Sequence, residues 1–451
     1  MMTVSEKREV CLKNYEEHRS FIDSRCEADI EKYRKGKMRI FIKDKNGNAV
    51  KGKKISIHQK THDFKYGANI FMLDEFADES DNKAYREMFS KYFNLATVPF
   101  YWDGLEPEKG KPRFAADSPK VYRRPAPDLC VDYCEENGIL PKLHCLFYEN
   151  FLPDWLPLDD EEQMRRLYEK RFSEIAERYS GRMYEFEVIN ETLCAPWWNK
   201  KSVLSDKRGN IEWAFELALK YFKKDKLVIN EATPLPNIIN EGYTAKYFLQ
   251  LEMLLEKGTP IDKIGLQHHI FTGASLPADS EASDENIKSD ARNLMNFQGI
   301  LKALDKLAEF GLPLEITEIT VPTLGAGEEA EELQAEILEV LYKVWFSHPN
   351  MESAVYWNTV DYTAYNASGR SWNENNCRGG LFHRDFTPKK SALKLYELFN
   401  KVWHTDLSAV SGEQGEAVFR GFWGDYEAEI DGKKYSFGLH KNSDNFTEII
   451  I

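Results

Sequence analysis

From residue 64 to residue 403 the chain alternates short apolar runs with longer segments whose apolar residues recur at helical spacing. The runs that read as strands are 64–71, LATVPFYW at 95–102, PKLHCLFY at 141–148, 184–190, KLVINEA at 226–232, KIGLQHHI at 263–270, PLEITEIT at 313–320 and ESAVYWNTV at 352–360. Helical patterns lie between them, as at 160–178, 211–224, 241–257 and 328–346, and KKSALKLYELFNKVW near 389–403 closes the series. Eight strand–helix alternations over about 340 residues predict an α/β fold of the (β/α)8 TIM-barrel type. The rival, an open doubly wound sheet, usually carries a Gly-rich phosphate loop after its first strand, and FKYGANIF is not one.

Both ends of the chain break the alternation. Residues 4–35 read as a highly charged helix, followed by two short strands, MRIFIKD and KKISIHQ, on either side of KNGNAVKG, whose Asn-Gly is a turn signal. After 403 the segment AVFRGFWGDYEAEIDGKKYSFGLH alternates at period two, with an Asp-Gly turn. The expected organisation is an N-terminal helix (1–36), a β-hairpin (37–62), the barrel (63–403) and a C-terminal β segment (404–451). The hairpin and the C-terminal segment are expected to form one small accessory β-domain, with Phe419, Phe422, Trp423 and Tyr426 in its core.

Composition narrows the partners. A 451-residue chain with 42% hydrophobic residues and 13% aromatics is a folded globular protein. A net charge of −14 disfavours nucleic acid and anionic membrane as partners. No run reaches transmembrane length, and the charged N-terminus lacks the apolar stretch of a signal peptide. The seven scattered cysteines, Cys11, Cys26, Cys130, Cys134, Cys145, Cys194 and Cys377, show no zinc-ribbon spacing and suit a reducing compartment. The expected location is the cytoplasm, with oligomeric state left open.

In a (β/α)8 barrel the reactive groups sit at the C-terminal ends of the strands. The fourth predicted strand, in YEFEVINETL, ends on Asn190 and Glu191, and the seventh, in LPLEITEIT, places Glu318 at a matching position. Asn-Glu occurs at 190, 230, 240 and 373, so position and not the dipeptide carries the signal. Two carboxyl groups facing each other across a barrel mouth suit glycosidic cleavage: one protonates the leaving oxygen, the other stabilises or attacks the anomeric carbon. Glu231, also at a strand end after an Asn, is the rival acid. Neither a metal nor another cofactor is called for, because His268 and His269 have no third ligand at a diagnostic spacing. A lyase or aldolase would show a strand-end Schiff-base lysine or a metal cluster, and none is evident.

Several motifs, in one order over roughly residues 64–400, resemble glycoside hydrolase family 10, the endo-β-1,4-xylanases. FEVINETL is similar to its W-D-V-V-N-E motif, LPLEITEIT to I-T-E-L-D, KIGLQHHI to G-I-G-x-Q-x-H, and DGLEPEKGKPRF to W-D-x-x-E-P-x-x-G-x-F. The resemblance implies a retaining hydrolase in which Glu191 is the acid/base and Glu318 the nucleophile. It further implies that Asn190 bonds the sugar 2-hydroxyl, His269 bonds the nucleophile, Gln267 lines the site, His144 contacts the sugar and Trp357 forms a stacking wall. The chain departs from the family on the side that grips the non-reducing sugars: Thr97, Val98 and Tyr101 stand where it has Glu, Asn and Lys. Tyr148 and Phe151 replace a Trp and a Gln, Tyr365 a second Trp, and Thr320 the Asp after the nucleophile motif. Loss of matched polar groups alters specificity more than reaction class. The expected substrate is a short β-linked oligosaccharide or a small β-glycoside, with xylo-oligosaccharides the family default. The alternatives are a non-catalytic carbohydrate-binding barrel and a hydrolase of a non-xylan β-glycoside with an apolar aglycone.

Overall fold

The computed structural model describes residues 1–277, 282–367 and 371–451. Helix α1 (Val4–Asp29) opens the chain with a capping box: the Thr3 hydroxyl accepts from the Glu6 N–H while the Glu6 carboxylate accepts from the Thr3 N–H. Strands β1 (Lys35–Lys43) and β2 (Lys54–Gln59) follow. Then come β3 (Lys65–Asn69), β4 (Leu95–Pro99), β5 (Leu140–Phe147), β6 (Glu185–Asn190), β7 (Leu227–Glu231), β8 (Lys263–His269), β9 (Leu314–Thr320) and β10 (Met351–Tyr356). These eight pair in parallel, in chain order, and β10 closes on β3. Helices cover the outside, so the strands are buried on both faces and read as near-continuous apolar runs. The predicted (β/α)8 barrel is the observed fold. Among the described residues no helix is long and apolar enough to cross a membrane.

The barrel interior is polar. At its N-terminal end Lys142 Nζ lies 2.6 Å from Glu315 and 3.0 Å from Glu185, and Lys263 Nζ lies 2.9 Å from Glu185. Toward the C-terminal end the strict period of two breaks. The pairing of β6 with β7 slips between Glu187 and Ile189, and that of β8 with β9 slips between Leu266 and Gln267. Each bulge re-aims the side chains beyond it. Glu187 and Asn190, three apart, both reach the interior, where both hydrogen-bond Asn230; so do adjacent Thr317 and Glu318. Gly265 permits this crowding, since a Cβ there would sit 2.8 Å from Asn230 Oδ1 and 2.8 Å from Thr317 Cγ2.

The terminal segments build two small sheets. One has the order β12 (Glu416–Phe422), β1, β15 (Phe446–Ile450); the other runs β11 (Asp406–Val410), β2, β13 (Gly424–Ile430), β14 (Lys433–Leu439). Met38, Ile40 and Ile42 of one sheet and Ile55, Ile57, Tyr426 and Ala428 of the other share one apolar core. Phe419 is buried with them, Phe422 joins the barrel core, and Trp423 is half-buried against the small sheets.

Four expectations need correction. The strands at 37–62 do not form a hairpin: β1 pairs with β12 and β15, β2 with β11 and β13. The Asn46–Gly47 turn is present, held by Asp44, but the segment after it crosses to the facing sheet, so the two apolar faces meet across the core. The run at 95–102 is strand only to Pro99; its apolar character continues because Phe100, Tyr101 and Trp102 are buried in a loop and a short helix, Trp102–Leu105. The run at 352–360 stops at Tyr356 and turns at Asn358, whose φ is 71°. The helix expected at 241–257 breaks at Gly242 (φ 63°) into Leu235–Glu241, a short turn and Lys246–Glu256.

Candidate active site

The strand ends and following loops enclose a cavity of about 370 Å³. Glu191, Glu318, Gln267, His269, Tyr101, Tyr148, Trp357 and Tyr365 line it, so eight of the ten residues expected at the site meet there. The other two, Asn190 and His144, are buried and bond residues of its wall or floor.

Glu191 follows the last residue of β6 in the left-handed region, at φ 55° and ψ 38°. That conformation costs a non-glycine residue about 1 kcal/mol or more and is held by its surroundings. The Glu191 N–H donates to the Asn230 carbonyl at 3.1 Å. The next turn is tied down by Glu231, whose carboxylate accepts from the Leu193 N–H and the Ala232 N–H, both at 2.9 Å. The rival acid is thus occupied in holding the loop that carries Glu191. Burial pushes the Glu231 carboxyl up to about 8, against the pull of its two backbone donors.

One amide joins the two candidate catalytic groups. Gln267 Nε2 lies 2.9 Å from Glu191 Oε1, 2.9 Å from Glu318 Oε1 and 3.2 Å from Asn190 Oδ1. The Tyr148 hydroxyl donates to Glu191 Oε2 at 2.7 Å. Glu318 also accepts from Asn230 Nδ2 at 3.2 Å. His269 Nε2 stands 3.2 Å from Glu318 Oε2, and its Nδ1 is 2.9 Å from the Thr320 hydroxyl. Burial lowers His269 to about 4, so the ring is neutral at pH 7. The partners then set the tautomer: the Thr320 hydroxyl donates to Nδ1, and Nε2–H donates to Glu318. Thr320, which departs from the family motif, therefore positions a donor on Glu318.

Burial pushes the Glu318 carboxyl well above its usual range, and the charges of Glu191 and Glu187 add to that while His144 opposes it. Three N–H donors converge on Glu318, from Gln267, Asn230 and His269, which favours the negative charge there. The Tyr148 hydroxyl, donating to Oε2, fixes the orientation of Glu191.

His144 joins this floor to the layer below. Its Nδ1 lies 2.8 Å from Glu187 Oε1 and its Nε2 2.9 Å from the Tyr101 hydroxyl. Burial opposes charge on the ring, but Glu187 outweighs it and raises His144 above its ordinary value. His144, Cys145 and Glu187 are the one group among the described residues close enough to hold a metal ion, and both ring nitrogens of His144 are already engaged. Trp357 forms an aromatic wall with Phe71 (ring centroids 5.1 Å apart) and His144 (5.4 Å), and Tyr365 meets Phe151 edge-on at 5.9 Å.

Sequence reasoning missed Asn230 and Glu187, the hub under both glutamates, and Arg123, Arg124, Trp372 and Glu374, which line the cavity from loops. Asn230 carried a signal, an Asn at a strand end like Asn190; the loop residues carried none. Of the replaced glycone-side positions, Tyr101, Tyr148 and Phe151 line the cavity, whereas Thr97 and Val98 are buried in β4 and do not.

Comparison with known proteins bears on the family and the fold. The family model described as glycosyl hydrolase family 10 matches residues 58–397. Endo-1,4-β-xylanase 1 of Arabidopsis thaliana is 25% identical over 356 residues, 78% of this chain and 32% of that protein. Endo-1,4-β-xylanase B of Thermotoga neapolitana is 24% identical over 326 residues, 69% of this chain and 80% of that protein. The chain thus spans about a third of the length of the Arabidopsis relative. Among solved structures, xylanase 10B from Thermotoga petrophila RKU-1 in complex with xylobiose superposes with a TM-score of 0.57 at 21% identity, covering 75% of this chain and 95% of that one, a likeness of fold. Because the family model spans the whole barrel and both strand-end glutamates, the chain belongs to glycosyl hydrolase family 10.

Proposed function

We propose that this protein is a retaining β-glycoside hydrolase acting on short β-linked oligosaccharides or small β-glycosides. The observation that carries the reading is the Gln267 amide, 2.9 Å from an oxygen of each candidate glutamate. Two oxygens held by one nitrogen are less than two hydrogen-bond lengths apart. That fits the roughly 5–5.5 Å of retaining enzymes and not the roughly 6.5–9.5 Å that leaves room for an inverting water.

In the first step a Glu318 carboxylate oxygen bonds to the anomeric carbon as the glycosidic C–O bond breaks. The departing oxygen takes the proton of Glu191, leaving a glycosyl ester on Glu318. In the second step Glu191 removes a proton from water, the water oxygen bonds to the anomeric carbon, and the ester bond to Glu318 breaks. Asn190 is suited to the sugar 2-hydroxyl, a contact that strengthens as charge develops on the ring. Trp357 and Tyr365 offer faces for C–H stacking. Tyr101 and Phe151 replace polar clamps with aromatic rings, and Tyr148 stands in place of a Trp, which shortens the grip on the glycone and disfavours long xylan chains. Seven free thiols suit a reducing compartment, and we place the protein in the cytoplasm on that ground.

Leaving-group dependence tests the mechanism. Glu191→Ala is expected to slow β-glycosides of poor leaving groups by roughly 10²–10⁴-fold and activated aryl glycosides far less, because only the former need the proton. Equal slowing of both classes would remove Glu191 from the acid role. We also propose that 37–62 and 404–451 form one unit distinct from the barrel. Deletion of 404–451 is expected to bare the apolar faces of β1 and β2 and cause aggregation; a soluble truncation with unchanged melting would contradict this.

A further inference from the structure

The glycone side of the cavity holds two adjacent cations that the proposed hydrolysis does not use. Arg123 and Arg124 lie between the helices Trp102–Leu105 and Pro127–Asn137, and both line the cavity. Arg123 adopts a left-handed backbone (φ 60°), uncommon for a long side chain. The loop is pinned by buried Arg113, which donates to the Gly104 carbonyl at 2.6 Å and to the Arg124 carbonyl at 3.2 Å. The guanidinium of Arg124 stacks 4.0 Å above the Tyr101 ring and 5.5 Å from that of Phe151. Gly104 makes room for its stem, since a Cβ there would come within 2.7 Å of Arg124 Cγ. These features place the guanidinium rather than leave it in solvent.

The donors of this pair are largely unspent. Among the described residues, the one hydrogen bond that Arg124 donates goes to the Arg123 carbonyl at 2.9 Å, and no carboxylate lies within ion-pair distance of it. Stacking occupies the face of a guanidinium and leaves its in-plane N–H fork free. Arg123 is buried, donates to the Thr363 carbonyl, and keeps its Nε–H without a partner. A buried unpaired donor is costly, and a neutral apolar wall would need neither cation. The charge of Glu374 acts on Arg123, which leaves Arg124 as the cation of the lining without an ion-pair partner among the described residues, on a wall that also carries Glu191, Glu318 and Glu374.

We propose that Arg123 and Arg124 form an anion-reading subsite and that the sugar bound before the cleaved bond carries a carboxylate. The substrate class is then an acidic, uronate-bearing β-glycoside. A planar carboxylate matches the guanidinium fork with two parallel hydrogen bonds, which a sugar hydroxyl cannot supply. The assignment rests on the hydrolase reading for turnover, but not for binding.

The test compares an aryl β-glucuronide, the aryl β-glucoside that differs from it only at C6, and the corresponding 6-sulfate. For the glucuronide, kcat/KM is expected to exceed that of the glucoside by about tenfold or more, with the advantage shrinking in about 1 M salt. Arg124→Gln is expected to collapse the ratio between the two by roughly 10–100-fold, and Arg124→Lys, which keeps the charge but not the fork, to restore part of it. A glucoside as good as the glucuronide, or an Arg124→Gln variant that slows both alike, would overturn the proposal; equal preference for the 6-sulfate would overturn the carboxylate assignment. If no glycoside is turned over, the hydrolase reading fails, and calorimetry with methyl β-glucuronide and methyl β-glucoside judges the subsite alone. Tighter binding of the uronide that Arg124→Gln abolishes supports it, and equal binding refutes it.

Discussion

At the N-terminal end of the barrel, Lys142 and Lys263 stand among Glu185, Glu187 and Glu315, each cation within 3.2 Å of a carboxylate oxygen. At the mouth, Glu191 and Glu318 meet amides, a hydroxyl and a neutral imidazole, and among the described residues no lysine or arginine pairs with either. Both layers are polar; the lower one is buried, and in the upper one Glu318 is buried and Glu191 half-buried. The lower one matches charge with charge, so it is costly to break and has nothing to offer a substrate. The upper one leaves negative charge stabilised mainly by dipoles, which suits the proposed roles of a carboxylate that bonds to carbon and an acid that gives up its proton. His144 lies between them, tied to Glu187 below and Tyr101 above.

The largest expected effect falls on the mouth. Glu318→Gln is predicted to lower kcat by roughly 10⁴-fold or more, because it removes the proposed nucleophile. Melting temperature is expected to hold or rise, since a like charge beside Glu191 is lost. A variant that melts much lower would mean that Glu318 also carries stability, and the contrast between layers would weaken. Lys142→Met should do the reverse. It leaves buried Glu185 and Glu315 short of a cation and is predicted to cost about 3–5 kcal/mol in denaturant unfolding. Unfolding within about 1 kcal/mol of the parent would show that Lys263 alone satisfies the layer.

Smaller effects sharpen the upper layer. Thr320→Val removes the donor that fixes the His269 tautomer and is predicted to lower kcat roughly tenfold, the weight of one hydrogen bond to a charged group. An unchanged kcat would show that His269 finds its orientation without Thr320. Glu231 gives a pH signature. Burial raises its folded-state value from 4.5 to about 8. Between those values the folded state keeps a proton that the unfolded chain has lost, so this contribution to stability is complete at acid pH and declines as pH rises toward 8. Glu231→Gln is expected to flatten that decline, read as melting temperature against pH. An identical slope in the two proteins would mean that Glu231 titrates normally.

The fold was legible because each barrel strand is buried on both faces and each helix carries one apolar stripe, so the alternation survives in the sequence. Glu191 and Glu318 were legible as polar residues ending apolar runs. The hub beneath them was not. Asn230, Glu187 and Thr317 converge because two strands bulge, and a bulge leaves no mark in a pattern of apolar and polar residues. The hairpin was misread for a related reason: Ile40, Ile42, Ile55 and Ile57 show which faces are buried, not whether two strands lie side by side or face to face. Arg123 and Arg124 sit on a loop with no period at all, and only the packing of Arg124 on Tyr101 and Phe151 and of Arg123 on Phe71 reveals where they point.

The central claim is that Glu318 and Glu191 act by double displacement, and the anomeric configuration of the first-formed sugar tests it most directly. Hydrolysis of a β-glycoside followed by proton NMR within the first minutes is predicted to show the β-anomer first, with the α-anomer growing in only as fast as mutarotation allows. The α-anomer appearing first would show a single inverting displacement by water, and the assignment of Glu318 as nucleophile would be wrong.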